Sequence, residues 1–181
     1  MLLKLYVCVN VGFFTLKQVS GLMTPVFSQL NDGWNAEPNS PEPKVEVVGD
    51  DVLLKFFVNA FRYPEFEEDE IGVLRFVNCT RYRLGSTNDE GWYRGQCRFS
   101  KVAPSWGEFY LINGDRTLLD APCDWKSVAT CTDQDQHFLF YFRDQTFECV
   151  SDQCVIETTA NNSLHRTGKE LRSLPSAELK R

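Results

Sequence analysis

Apolar residues in the middle of the chain recur at every second position. Across residues 137–143, Phe138, Phe140 and Phe142 alternate with His137, Leu139, Tyr141 and Arg143, the period of a β-strand. Arg143, Asp144, Gln145 and Thr146 supply a turn, and Phe147, Glu148, Cys149 and Val150 return with Phe147 opposite Phe142. Ser151 and Asp152 then turn the chain into Cys154, Val155 and Ile156. Residues 52–61 are β-branched and aromatic on both alternating faces, which predicts a central buried strand that Pro64 ends. After an acidic turn, residues 71–84 read as one long strand. Residues 85–91 read as a loop, and residues 92–99 as the returning strand. A hairpin symmetric about Asn88 places Cys79 opposite Cys97 and Tyr82 opposite Arg94. Residues 108–112 form a short strand, Asn113-Gly114 is a strong two-residue hairpin turn, and residues 121–131 are a loop or one helical turn. Short strands, frequent turns and little helical period predict an all-β fold, an antiparallel sandwich or barrel of seven to nine strands.

The ends read differently. Residues 1–22 hold a mainly apolar stretch interrupted by Asn10 and Gly12 and followed by Lys17, without an A-x-A-like cleavage site. They are read as sequence upstream of a start at Met23, with a signal segment or anchor and a genuine structural segment as alternatives. Pro38, Pro41 and Pro43 mark an extended linker, so residues 1–44 are expected outside the fold and residues 45–157 form the β domain. Residues 158–181 are expected to be a frayed basic tail, with a short exposed helix over 164–174 as the alternative.

Composition narrows the function. With 43% apolar and 13% aromatic residues the chain can build a core. Its net charge of -6 argues against nucleic-acid and anionic-membrane partners, which require basic surfaces. The acid is concentrated: residues 45–157 carry 11 basic and 20 acidic side chains, whereas residues 158–181 carry five basic and two acidic. No apolar run reaches the roughly 18 residues of a membrane helix.

Of seven cysteines, Cys8 lies in the upstream stretch. The proposed hairpins pair Cys79 with Cys97 and Cys149 with Cys154, leaving Cys123 and Cys131 for a third bridge in an exported form. Free buried thiols in a cytoplasmic protein are the preferred reading. Nucleotide-binding, zinc-protease and serine-hydrolase signatures are missing, and no metal or other cofactor is implied. His137 could act as a general base beside Glu148 or Asp152, although a surface histidine explains it equally well. The acids from Glu65 to Glu70 lack the spacing of a calcium loop and read as a solvated turn. Asn88, Asp89, Glu90, Trp92, Tyr93, Arg94, Trp106 and Glu108 form the most suggestive group. Trp, Tyr and Arg dominate binding hot spots, and these side chains exceed what a turn requires, although core tryptophans beside an ordinary turn are the plain alternative.

Residues 88–99, 103–110 and 137–144 resemble a group of bacterial proteins with no assigned activity, a likeness that spans most of residues 50–157 and transfers no catalytic residue. Residues 160–167 resemble an in-frame translation of an integron cassette recombination site. The resulting expectation is a small cytoplasmic β-domain, leaning non-enzymatic, that binds another, basic protein as an accessory or immunity-type module. The alternative is an enzyme with a site near His137 or the Trp92 loop, and export if residues 1–22 are a signal segment. Expressing the chain from Met23 should leave its melting temperature unchanged. A loss of several degrees would show that residues 1–22 belong to the fold.

Overall fold

A computed structural model describes residues 24–100, 102–114, 124–130 and 135–158. The period-two stretches form ten strands among these residues: β1 (Val26–Gln29), β2 (Lys44–Val48), β3 (Asp51–Phe57), β4 (Ile71–Val77), β5 (Arg81–Gly85), β6 (Phe109–Asn113), β7 (Lys126–Ser127), β8 (Gln136–Tyr141), β9 (Thr146–Ser151) and β10 (Gln153–Thr158). They build two antiparallel sheets, a six-stranded one in the order β1-β6-β8-β9-β5-β7 and a four-stranded one in the order β10-β4-β3-β2. The result is an all-β sandwich and not a closed barrel, with one short helix, α1 (Asp89–Tyr93), among the described residues.

Aromatic rings fill the space between the sheets. Phe109, Phe138, Phe140 and Phe147 from the larger sheet meet Val52, Leu54, Phe56, Leu74 and Phe76 from the smaller one. Phe56 and Phe140 meet edge to face with centroids 5.3 Å apart, and Phe76 lies 5.2 Å from Phe147. Such pairs contribute about 0.5–1.5 kcal/mol beyond the area they bury. The outer face of the larger sheet is covered as well. Tyr110, Ile112, Leu139 and Tyr141 lie beneath Trp92, Phe99 and Ala103, with Phe27, Cys97 and Trp106 at the margin. Cover on both faces is the physical reason β8 and β9 are buried along nearly their whole length.

The expected long strand over residues 71–84 is two strands of different sheets. Asn78, with φ of 48°, turns the corner between β4 and β5. There its backbone N–H donates to Asp51 Oδ1 at 3.0 Å and its side chain to Asp152 Oδ2 at 2.9 Å. β9 and β10 change sheets beside it, where Asp152 N donates to Val77 O at 3.1 Å. Residues 149–154 are therefore a crossing between sheets and not a hairpin. The β8–β9 register pairs Phe140 with Phe147, and Phe142 closes the turn through its N–H on Gln145 O at 2.8 Å.

The described part of residues 1–44 is bound to the body and is not a linker. β1 pairs with β6, and Trp34 stacks on Phe56 at 5.8 Å. The proline segment is pinned by Phe57 N to Pro41 O at 2.9 Å and by Arg143 Nη1 to Asn39 O at 2.7 Å. Prolines here mark a strap held by its carbonyls, which need no N–H of their own. The readings of residues 1–22, of the tail beyond Thr158, of the turn after Asn113-Gly114, and of Cys123 and Cys131 lie outside the described residues. Residues 124–130 contain the two-residue β7.

The cysteine geometry departs from the expected pairs. Cys79 lies in the core between the sheets, whereas Cys97 lies under the outer cover of the larger sheet. The close contact is instead Cys79 Sγ to Cys149 Sγ at 3.2 Å, and both thiols are free and buried. Burial pushes the Cys149 and Cys154 thiols up, away from the reactive thiolate. Of the four cysteines among the described residues, alkylation of the native protein, read by mass spectrometry, should spare Cys79, Cys149 and Cys154 and label the half-buried Cys97. A linked Cys79–Cys97 peptide from freshly isolated protein would contradict this fold.

Candidate functional site

Residues 92–99 do not return as a strand. Asn88 is extended, with φ of -90° and ψ of 179°, and its side chain accepts from Gly91 N, so it caps α1. Asp89 and Glu90 occupy the first turn, where acids favour a helix N-terminus. The segment that follows packs down onto β6 and β8 instead of pairing with β5. Tyr82 faces Cys149 on β9 and Lys126 on β7, with Lys126 Nζ 5.6 Å from its ring. Arg94 is not its partner.

This placement divides the sequence-identified group. Trp92 is buried in the outer cover, and Trp106 stacks on Tyr141 at 4.7 Å. Glu108 is an anchor for the N-terminal segment, accepting from Gln29 Nε2 at 2.9 Å and Asn31 Nδ2 at 2.6 Å. Asn31 in turn accepts from Phe109 N at 3.1 Å. Asn88, Trp92, Trp106 and Glu108 are thereby occupied in holding the structure. Asp89, Glu90, Tyr93 and Arg94 remain exposed on α1 and just after it, with Tyr93 69% exposed and Glu90 and Arg94 paired at 3.2 Å.

The residues that converge most closely lie elsewhere. Glu148 on β9 is fully buried, on the outer face of the larger sheet. Its Oε1 accepts from Arg83 Nη1 at 2.7 Å, and its Oε2 lies 2.9 Å from His137 Nε2 and 3.5 Å from Arg98 Nη2. Arg83 also grips Asp124 through Nε and Nη2 at 2.9 and 3.0 Å. The register explains the meeting. His137 pairs with Val150 and Arg83 with Glu148, and side chains on one face of neighbouring strands stand together. Arg98 descends from the cover, with its guanidinium 4.8 Å above the Phe99 ring. Three of its nitrogens are buried without a hydrogen bond among the described residues.

Burial lowers the His137 pKa below the usual imidazole range, outweighing the opposite pull of Glu148. Burial alone would raise Glu148. The hydrogen bond from His137 and the charges of Arg98 and Arg83 outweigh it and hold the carboxyl below its ordinary range. An ionised carboxylate only accepts, so His137 donates its Nε2–H as a neutral imidazole. Cys97 hydrogen-bonds with Ser100 Oγ at 3.1 Å, and its pKa is raised, chiefly by burial. The sequence offered Glu148 or Asp152 as a neighbour of His137, or a surface histidine; the structure selects Glu148 and buries the ring. The two arginines were not legible there, because Arg83 and Arg98 sit on segments whose relation depends on the cover.

Among the described residues no helix is long and apolar enough to cross a membrane. No family model, curated protein or solved structure matches the chain.

Glu148→Gln leaves the Arg98 guanidinium facing a neutral amide and Arg83 with Asp124 as its remaining acid, and should destabilise by about 3 kcal/mol, measured by urea unfolding. Acid should act in the same direction. An unfolded chain takes up the His137 proton as pH falls through about 6.5, whereas the folded one resists until a lower pH. Stability linked to His137 is therefore complete above that value and declines below it, and the loss linked to Glu148 follows at still lower pH. His137→Gln should flatten the part of the decline that begins below about pH 6.5. An unchanged slope would show that His137 titrates alike in both states.

Proposed function

We propose that the protein is a non-enzymatic binding module, of accessory or immunity type, whose partner is a basic protein in the cytoplasm. The observation that carries this reading is the division of polar side chains between the interior and the surface. His137 and Glu148, the groups suited to acid–base chemistry, are enclosed, and Glu148 is ion-paired with Arg83 and Arg98. The exposed chemistry is acidic and aromatic, with Tyr93 beside the Glu90–Arg94 pair on one helix face and an excess of acid throughout residues 45–157. An acidic surface accelerates encounter with a basic protein and disfavours polyanions.

A second reading has one observation in its favour, the 2.9 Å contact of His137 Nε2 with Glu148 Oε2. An enzyme using that pair needs substrate to pass beneath the cover formed by Trp92 and Phe99.

Cross-linking in cells that express the full chain, followed by mass spectrometry, separates the two readings. The binding module should cross-link to a basic protein in a defined ratio. A Glu90→Ala, Tyr93→Ala, Arg94→Ala variant should melt with the wild type and lose the cross-link. Turnover by the purified protein that His137→Gln abolishes without unfolding it would establish the enzyme instead.

A further inference from the structure

We propose that the β3–β4 connection and the cavity beside it form a docking surface for a basic segment of the partner, one apolar side chain of which enters the cavity. This deepens the binding-module reading and rests on it. The cavity has a volume of about 110 Å³. Its walls include Trp34, Phe56, Val58, Phe66 and Ile156. An apolar cavity of roughly 150 Å³ accepts benzene, so this one suits a single branched aliphatic side chain.

Three features make it a docking surface and not a packing defect. Apolar surface continues outward from the cavity, because Ile71 and Ile156 are 43% and 38% exposed. Phe61, in the same connection, is fully exposed; a phenylalanine in water contributes nothing to folding, and burial of such a ring is a strong source of binding energy. The connection that displays it is also held in shape. Val58 N donates to Glu70 O at 2.9 Å, Phe66 N to Tyr63 O at 3.1 Å, and Arg62 N to Asn59 Oδ1 at 2.9 Å. A ring presented on a preformed loop loses little entropy when it binds.

Charge identifies the occupant. Residues 58–70 contain Glu65, Glu67, Glu68, Asp69 and Glu70 against Arg62 alone. Arg62 lies 5.4 Å from the Tyr63 ring. Glu157, which also lines the cavity, is bound by Arg75 at 2.9 Å, as is Asp51 on its other side. Of these acids Glu70 lines the cavity and the others belong to the connection that supplies its wall at Val58 and Phe66, so the excess charge beside the cavity is negative, and a segment with Lys or Arg flanking the apolar side chain satisfies both features.

Selection from a displayed library of random peptides on the full, immobilised chain tests this. Enriched peptides should carry an aliphatic residue between basic ones. Synthetic copies should lose affinity by about tenfold or more for Phe61→Ser, for a Glu67→Lys, Glu68→Lys variant, and for Ile156→Trp, which narrows the cavity mouth. The first two changes lie in solvent and keep the test valid if Ile156→Trp fails to fold. Equal binding to all three variants overturns the proposal, and so does a selection without enrichment. Peptides lost instead on the Glu90, Tyr93, Arg94 variant also overturn it, while leaving the binding-module reading in place. Enriched peptides that match this chain's own residues 159–181 would identify an internal occupant and overturn the assignment to a partner.

Discussion

β8 and β9 are buried on both faces, and that constraint organises the molecule. A strand of this kind is stable only with a layer on each side. One layer is the four-stranded sheet, which supplies Phe56, Phe76 and their neighbours. The other is built from α1 and the turns after it, which place Trp92, Phe99 and Ala103 over Tyr110, Leu139 and Tyr141. Without the second layer Leu139 and Tyr141 would face water. With it, the outward-facing Glu148 is also removed from water, and a buried carboxylate has to be compensated. Arg83, His137 and Arg98 provide the compensation, so the most polar cluster in the described structure is a consequence of how the sheet is covered.

The same constraint separates structural from available chemistry. Trp92, Trp106 and Glu108 have the composition of a binding site and the contacts of a framework. Glu108 joins the N-terminal segment to β6, and the tryptophans seal the outer face. What the framework leaves in solvent is acid with isolated aromatic rings, Tyr93 on α1 and Phe61 on the β3–β4 connection. The proposed binding-module reading rests on this division between an exposed acidic, aromatic surface and an enclosed imidazole–carboxylate pair.

Much of the sandwich was legible because strand alternation is local. Phe138, Phe140 and Phe142 announced the inner face of β8, and the β8–β9 turn followed from four residues. What was not legible depended on long-range placement. Residues 71–84 carry strand-forming side chains on both sides of Asn78, and only the other sheet determines that they bend there. The helix at Asp89–Tyr93 carried a local signal, an Asn cap followed by two acids, but those residues also suit a turn. Reading them as a turn carried an error into the assumed hairpin, and with it the Cys79–Cys97 and Tyr82–Arg94 pairings. The prolines before Val45 resembled a linker because a pinned strap and a free one have the same composition. Within the candidate site, the β8–β9 hairpin left Glu148 and Asp152 both open as neighbours of His137, and the register alone decides for Glu148, whereas Arg98 reaches Glu148 only through the fold of the cover.

The central claim is that the cover seals the His137–Glu148 pair. The chain has two histidines, so NMR of protein carrying labelled histidine resolves His137 from His165, with His137→Gln assigning the signal. The account predicts a neutral Nε2–H imidazole whose midpoint lies below the ordinary histidine midpoint of about 6.5, in the direction burial drives it. An imidazole that titrates at or above that midpoint, or exchanges its ring proton freely with solvent, would show that the pair is open and contradict the account.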